Sequence, residues 1–287
     1  MFELGSFMIA SPHLTTGIGL RHPHIDQILD ERPKLGFLEV HTENYFGGGV
    51  KLKKLGQLRC DYELSLHGVG LSLGRADGLD LSHLDQIKAL NERFAPRFIS
   101  EHLSFSAFSH SHVPDLLAMP LTSQSMDIFV QHIDQVQSHL ERTILIENPS
   151  NYMAFIHQDY DEPSFLSQLS TRTGCHLLLD INNIYVSSQN MGFKAKDYIS
   201  ALPKNAAIAE FHLAGHELNQ IGDETLLIDT HGDVVCAEVW ALYHHALDYF
   251  GDRDSLIEWD SHIPDLSLLI GEAHKADHCR QGVLAHA

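Results

Sequence analysis

Short apolar runs alternate along this chain with longer stretches of helical periodicity. Eight runs read as strands: Gly17–Arg21, Gly36–His41, Tyr62–Gly68, Phe98–Leu103, Thr143–Asn148, His176–Asn182, Ala209–Ala214 and Ser255–Asp260. Apolar runs this short and this dense are the mark of buried parallel strands. Between most of them, apolar positions fall three and four apart. Leu81–Phe94 places Leu84, Ile87, Leu90 and Phe94 on one helical face behind Ser82, a candidate N-cap. Ser123–Leu140 repeats the pattern with Met126, Phe129, Val130, Ile133, Val136 and Leu140. Ser164–Thr173, Lys196–Ala201, Glu238–Phe250 and Ile263–Lys275 follow it. Such alternation predicts right-handed βαβ units and a parallel sheet. Eight repeats in about 250 residues match a (β/α)8 TIM barrel, an α/β fold whose chemistry sits at the C-terminal face.

No linker rich in Pro, Gly or Ser interrupts the series, so residues 1–287 read as one TIM-barrel domain. The polar stretch 275–287 shows no pattern and is expected to fray. Phe46-Gly-Gly-Gly49 is expected to supply flexibility near the site. Within Asn219–Asp233, the piece Leu226-Leu-Ile-Asp229-Thr-His231-Gly reads as a short extended segment after the seventh strand. It is expected to fold over the top of the barrel and carry ligands.

The strand ends carry the candidate chemistry. They present His67, then Glu101-His102, Glu147-Asn148, Asp180 with Asn182, Glu210 with His212, and Glu258 with Asp260. The inserted segment adds Asp229 and His231. Residues two apart on an extended chain point the same way, so Asp180 with Asn182 and Asp229 with His231 are expected to converge. Each residue also has an ordinary reading. A single buried His is more often a hydrogen-bonded core residue than a ligand. Asp180 and Asp229-Thr-His231-Gly would each serve as a turn. His22-Pro-His24 reads as a loop and helix start. His110, His112, His244, His245 and the tail histidines read as solvated. Joint placement changes the balance: the central strand ends are almost uniformly His, Glu, Asp or Asn, with no admixture of Ser, Thr, Lys and Arg.

A donor set of imidazole and carboxylate without thiolate suits iron, manganese, zinc or cobalt better than copper(I) or an iron–sulfur cluster. One ion needs only three or four protein ligands, so this ring implies two or three ions. Glu147, mid-ring, is placed to bridge two of them. The spacing does not separate a redox pair from a two-metal hydrolytic site.

Charge narrows the partners. Lys and Arg number 19 against 38 Asp and Glu, a formal charge of −19, which argues against nucleic acid or an anionic membrane as main partner. The four cysteines are widely spaced with no C-x-x-C, so neither a disulfide framework nor a zinc knuckle is expected. Arg21 is the first basic residue and no long apolar segment follows it, so a cytoplasmic protein without a secretory signal or membrane span is expected.

The same residues carry a family resemblance. The matching pieces are Gly17-Ile-Gly-Leu-Arg21, Glu39-Val-His-Thr-Glu-Asn44, Leu66-His-Gly-Val-Gly-Leu-Ser-Leu-Gly74, Ser100-Glu-His-Leu103, Glu147-Asn-Pro-Ser150, Leu179-Asp-Ile-Asn-Asn-Ile-Tyr185, Glu210-Phe-His-Leu-Ala-Gly215, Asp229-Thr-His-Gly232 and Ile257-Glu-Trp-Asp260. Over nearly its full length the chain resembles the multinuclear non-haem iron-dependent oxidases, whose relatives include methanobactin-type peptide-modifying oxidases. The resemblance implies a (β/α)8 barrel with two or three irons of mixed Fe(II)/Fe(III) state. It also implies O2 as co-substrate, a Cys-containing ribosomal peptide as substrate and a peptide-recruiting partner protein. By the same resemblance, His67, His102 and Glu147 hold one iron. Glu147, Asp180, His212 and Glu258 hold a second, and Asn182, Asp229 and His231 hold a third where present. Two other readings of the ring stand beside this one. One is a divalent-metal-dependent hydrolase or nuclease of the endonuclease IV/xylose isomerase barrel type, with the acidic balance weighing against the nuclease. The other is a non-enzymatic metal-binding module, for which a deep site with open coordination would be an odd choice.

Overall fold

The computed structural model describes residues 15–108, 111–222 and 224–284. The expectation for His110 and those for residues 285–287 fall outside them. In chain order the strands are β1 (Gly17–Gly19), β2 (Phe37–His41), β3 (Glu63–His67), β4 (Phe98–His102), β5 (Phe105–Phe108), β6 (Ser111–Leu117), β7 (Leu145–Glu147), β8 (His176–Asp180), β9 (Ile208–Leu213), β10 (Glu217–Ile221), β11 (Glu224–Ile228) and β12 (Asp254–Ile257). The helices are α1 (Ile25–Glu31), α2 (Gly49–Leu58), α3 (Leu81–Phe94), α4 (Ser123–Leu140), α5 (Glu162–Thr173), α6 (Ile181–Met191), α7 (Ala195–Ala201), α8 (Ala237–Phe250) and α9 (Leu266–Leu284).

Eight strands, β1, β2, β3, β4, β7, β8, β9 and β12, close into a parallel barrel in which β12 pairs with β1. This is the expected TIM barrel. Side chains alternate across each strand. Leu38, Val40, Leu64, Leu66, Ile99, Ile146, Leu179 and Phe211 are buried in the same core cluster as Ile28, Leu58, Leu84, Ile87 and Phe165 from the helices. The alternate positions Glu39, Ser65, His67, Ser100, His102, Glu147, Asp180, Glu210 and His212 are also buried, and they are polar. The helix-facing side of the sheet is thus apolar throughout, while the inward side is apolar at Phe37, Leu145 and Leu178 and turns polar toward the C-terminal strand ends. There register sets the polar members beside one another: His41 opposite His67, His102 opposite Glu147, and Asp180 opposite His212.

Several local expectations change. The sixth predicted strand, His176–Asn182, stops at Asp180. There the Asp180 side chain accepts the N–H of Asn183 and caps α6. Asn182 therefore sits in the first turn of a helix, not beside Asp180 on an extended strand. The eighth strand ends at Ile257, leaving Glu258 and Asp260 just beyond it. Asp80, not Ser82, caps α3, accepting from the N–H groups of Ser82 and His83. α5 starts at Glu162, two residues earlier than read, because Asp161 caps it. In the Phe46–Gly49 loop, Gly48 and Gly49 take φ of 72° and 74°, which glycine adopts without a Cβ penalty, and Gly49 opens α2.

Two antiparallel hairpins rise from the C-terminal face. β10 and β11 form the expected extended insertion, pinned where Asn190 exchanges hydrogen bonds with the backbone of Leu227. β5 and β6 form a second hairpin that the pattern did not reveal. The stretch after Lys275 is helical through Leu284 rather than frayed. It is fixed by small buried residues, Ala273 and Ala276, and by a buried ion pair between Arg280 and Asp252 at 2.7 Å. Asp277 also accepts from the N–H of Thr16, tying α9 to the start of the barrel.

Candidate metal centre

At the C-terminal ends of β3, β4 and β7, three ligand-type atoms meet. Nε2 of His67 lies 3.3 Å from Oε2 of Glu147, and Nε2 of His102 lies 3.2 Å from the same oxygen. Oε2 of Glu147 is buried with no hydrogen-bond partner. The two nitrogens therefore do not donate to it; the three atoms sit side by side, the spacing that neighbouring ligands of one ion require. What turns the rings is visible. Nδ1 of His102 lies 3.0 Å from the carbonyl oxygen of Gly68, and Nδ1 of His67 lies 2.7 Å from Oγ of Ser100. A partner on one ring nitrogen fixes the tautomer and leaves the other free to bind. A Cβ at Gly68 would overlap the Glu101 carboxyl, so a larger residue there would require Glu101 to move. Glu101 itself, although next to His102, belongs to none of the candidate ligand groups.

Glu147 also belongs to a second group, with Asp180, His212 and Glu258, all buried. Asp180 spends Oδ1 on the α6 cap, and its Oδ2 is buried without a partner. The side chain of Asn148 pairs with both the N–H and the carbonyl of Asp180, holding the end of β8 against β7. His212 directs Nδ1 toward Glu258 at 3.1 Å and Nε2 toward Glu39 at 3.5 Å and Glu210 at 3.8 Å.

The proposed third set is arranged differently. Nε2 of His231 lies 2.7 Å from Oδ1 of Asp229, and Nδ2 of Asn182 donates to that oxygen at 2.7 Å. Oδ1 of Asn182 faces Nδ1 of His216 at 2.8 Å. The three side chains do meet, but the amide oxygen of Asn182 is engaged by a histidine that the sequence reading did not single out. His41, Glu258 and Asp260 form one more cluster. The Arg21 guanidinium already sits there, bonded to Asp260 and 3.4 Å from Glu258, so a side-chain cation balances those carboxylates.

The electrostatics fit a cation site. Burial pushes the His102 imidazole down to about 4 and takes His67 well below its ordinary value. Burial raises Glu147 well above the carboxylate range and Asp180 to about 7. Burial opposes charge on His212 and His231 too. For His212 the carboxylates of Glu39, Glu210 and Glu258 outweigh it, and for His231 those of Asp229 and Glu258, so both are raised. The group of His67, His102 and Glu147, with neutral imidazoles beside a carboxyl that resists ionisation, is what a ligand set looks like before a cation compensates it. His212 and His231 are instead charge-balanced by carboxylates, among them Glu258, which is held well below its ordinary range. Unpartnered Glu147 Oε2 and Asp180 Oδ2 and the thiolate-free donor set fit the ions implied by the strand-end pattern.

The sequence reading did not assign Glu39, His41, Arg21, Asn183 or His216 to the site, and it named Asp260 only as a strand-end candidate. A signal existed for the first two: Glu39-Val-His41 ends β2 as Glu210-Phe-His212 occupies β9. Other histidines keep their ordinary roles. His24 and His132 are buried with ring nitrogens 2.8 Å from the carbonyl oxygen of Pro264 and 2.7 Å from that of Leu73. His112 and His244 are exposed, and His245 is half-buried.

A family model described as RiPP precursor modification enzyme MbnB/TglH/ChrH matches residues 15–281. The chain belongs to this family. Among the relatives, a UPF0276 protein of Vibrio parahaemolyticus is 44% identical over 265 residues, covering 92% of each chain. One from Chromobacterium violaceum is 45% identical over 260 residues, covering 91% of this chain and 92% of its own. Solved structures share the barrel at low identity. A xylose isomerase-like TIM barrel protein from Mycobacterium smegmatis, in complex with magnesium, has a TM-score of 0.61 at 10% identity, covering 94% of this chain and 98% of its own. The D-psicose 3-epimerase of Clostridium cellulolyticum has a TM-score of 0.58 at 12% identity, covering 94% and 99%. These likenesses establish the fold. Family membership implies the class: enzymes that modify ribosomally made precursor peptides.

Proposed function

We propose that this chain is an O2-dependent multinuclear iron oxidase that modifies a cysteine of a ribosomally made peptide, working in the cytoplasm with a peptide-recruiting partner protein. The observation that carries the reading is the position of Glu147. Its carboxylate belongs at once to the group with His67 and His102 and to the group with Asp180, His212 and Glu258. A carboxylate common to two donor sets suits a pair of ions that work together. The third ion falls to Asn182, Asp229 and His231. Bound iron would supply one-electron oxidation and O2 reduction, and its charge would favour the thiolate form of the substrate.

The chain's own residues do the rest. The Gly68 carbonyl and Ser100 hold the two imidazoles in register. Arg21 holds Asp260 beside Glu258 and balances their charge. The cavity above the ring is about 180 Å3 and is lined by Leu116 of the β5–β6 hairpin, Tyr152 and Asp229. That volume admits a side chain, not a folded peptide, and it limits water. Tyr152 accepts the N–H of Asp229, joining the loop after β7 to the β10–β11 insertion across the mouth.

The competing reading is a divalent-metal hydrolase, which the xylose isomerase-like fold keeps open. Anaerobic purification with metal analysis and Mössbauer spectroscopy, followed by O2 and a Cys-bearing precursor peptide, separates them. The oxidase reading requires iron and a peptide mass change that a Cys→Ser peptide does not undergo. His67→Ala or His102→Ala should abolish that change without unfolding the barrel. Activity with zinc in the absence of O2 would establish the hydrolase instead.

A further inference from the structure

Beside the candidate centre lies a larger cavity of about 440 Å3, within the range of ligand-binding pockets. Its wall is mostly apolar, with Leu103, Met119, Pro149, Met153, Phe155 and Phe193 among its lining residues. Two of these residues tie it to the metal centre. Leu103 directly follows His102, and Pro149 lines both this cavity and the smaller one above the ring. The segment after Glu147 is thus a partition: Pro149, Ser150 and Tyr152 face the centre, while Pro149, Asn151 and Met153 face the larger cavity. The outer rim opens to solvent with apolar surface on one part, Met153 being 65% exposed and nearby Ile156 94% exposed, and the exposed charges of Asp161, Lys194 and Asp197 on another. Apolar surface left open around a concavity marks a binding site.

Polar groups interrupt the wall: Asn151, Gln158, Glu162 and Tyr198 also line it, with Asp161, Lys194 and Asp197. The Glu162 carboxyl, half-buried within it, accepts from the Tyr198 hydroxyl at 2.6 Å and from Nδ2 of Asn151 at 2.7 Å. Each oxygen keeps a further lone pair for a donor from the ligand.

We propose that this cavity is the specificity pocket of the enzyme, and that it takes a large apolar, preferably aromatic, side chain on the residue next to the reacting cysteine. The inference rests on the peptide reading of the neighbouring centre. With the cysteine side chain in the small cavity, an adjacent residue of an extended peptide crosses the Pro149 partition and enters the large one. Its backbone N–H is then free to donate to Glu162. The pocket thus reads the sequence around the cysteine, a task the buried ring cannot perform.

The test uses iron(II)-loaded protein under anaerobic conditions, titrated calorimetrically with capped tripeptides. Acetyl-Ala-Cys-Ala-amide is compared with versions carrying Phe on one flank or the other, and each with its Ser counterpart. Burying a phenyl ring in place of a methyl predicts an affinity gain of about tenfold or more for one Phe flank. That preference should persist in the Ser peptides. Ala154, exposed and outside any helix or strand, lines the cavity. Ala154→Trp should fill the mouth and erase the preference while leaving metal content unchanged, and Phe193→Ala should weaken it. Equal affinities for Ala and Phe flanks, no binding of the Phe peptides at millimolar concentration, or an undiminished preference in both variants would overturn the proposal. Failure of the thiol reading looks different: Cys and Ser peptides would bind alike while the aromatic preference stands.

Discussion

Oδ1 of Asp180 accepts the backbone N–H of Asn183 at 2.7 Å, while Oδ2 of the same carboxylate faces the ligand ring without a partner. One residue thus starts a helix and offers a donor. The two roles separate by substitution. Asn caps a helix about as well as Asp but carries no charge, so Asp180→Asn should keep the melting temperature of the metal-free protein and lower metal content by at least one equivalent. Asp180→Ala should lose metal and, in addition, about 1 kcal/mol of stability from the missing cap. Metal analysis beside thermal melts checks both. Full metal occupancy in Asp180→Asn would remove Asp180 from the ligand set.

Glu147 allows a sharper test, because its carboxylate belongs to two ligand groups. Glu147→Gln should lower metal content by more than one equivalent, since two cations left without their shared anion also repel. A single-ligand variant such as His102→Ala should cost one equivalent. Equal losses in the two variants, measured by metal analysis on the purified proteins, would show that Glu147 is not a bridge.

The fold was legible because the helix-facing residues of the strands, such as Leu38, Leu64 and Ile146, are apolar in short dense runs. Part of the site was legible because His67, His102, Glu147 and His212 interrupt those runs at regular places. What stayed hidden has physical causes. α6 buries Asn182, Asn183, Ser187 and Ser188 among Ile181, Ile184 and Val186, so polar residues dilute its apolar stripe. Past the buried Leu266 and Leu269, α9 packs through Ala273, Ala276 and the Arg280–Asp252 pair, a weak periodic signal. The β5–β6 hairpin exposes most of β6 to solvent and so lacks alternation. Arg21 was invisible as a site residue because its partners Glu258 and Asp260 lie more than two hundred residues away in sequence.

Glu162 gives a pH prediction independent of the ligand ring. Burial raises its pKa from 4.5 to about 7, against hydrogen bonds from Tyr198 and Asn151 that lower it. The folded protein therefore holds this proton more tightly than the unfolded chain does. The associated stability is fully present below about pH 4.5 and is lost as pH rises through about 7. Glu162→Gln has no proton to lose. Its stability relative to the parent should rise between pH 5 and pH 8, by at most roughly 3 kcal/mol for a shift of this size. Denaturant titrations at several pH values read the difference directly. A pH-independent gap would mean that Glu162 is ionised throughout.

The insertion after β9 should carry the most easily lost ion. Asp229 and His231 lie beyond β11 rather than on a barrel strand, and both are less buried than the ring at the strand ends. Asn182 reaches them from α6, but its amide oxygen faces His216, so that oxygen must be released or the amide must turn before it can ligate. Ordering those groups costs free energy that the strand-end ring, already fixed by Gly68, Ser100 and Asn148, does not require. Chelator titration of the iron-loaded protein should remove one equivalent first. The double variant Asp229→Ala with His231→Ala should lack that equivalent and retain two, with thermal stability of the metal-free protein close to the parent's. His216→Ala frees the Asn182 oxygen and should slow the first loss or tighten it. Loss of all metal together in the double variant, or none, would rule out a separate third site on the insertion.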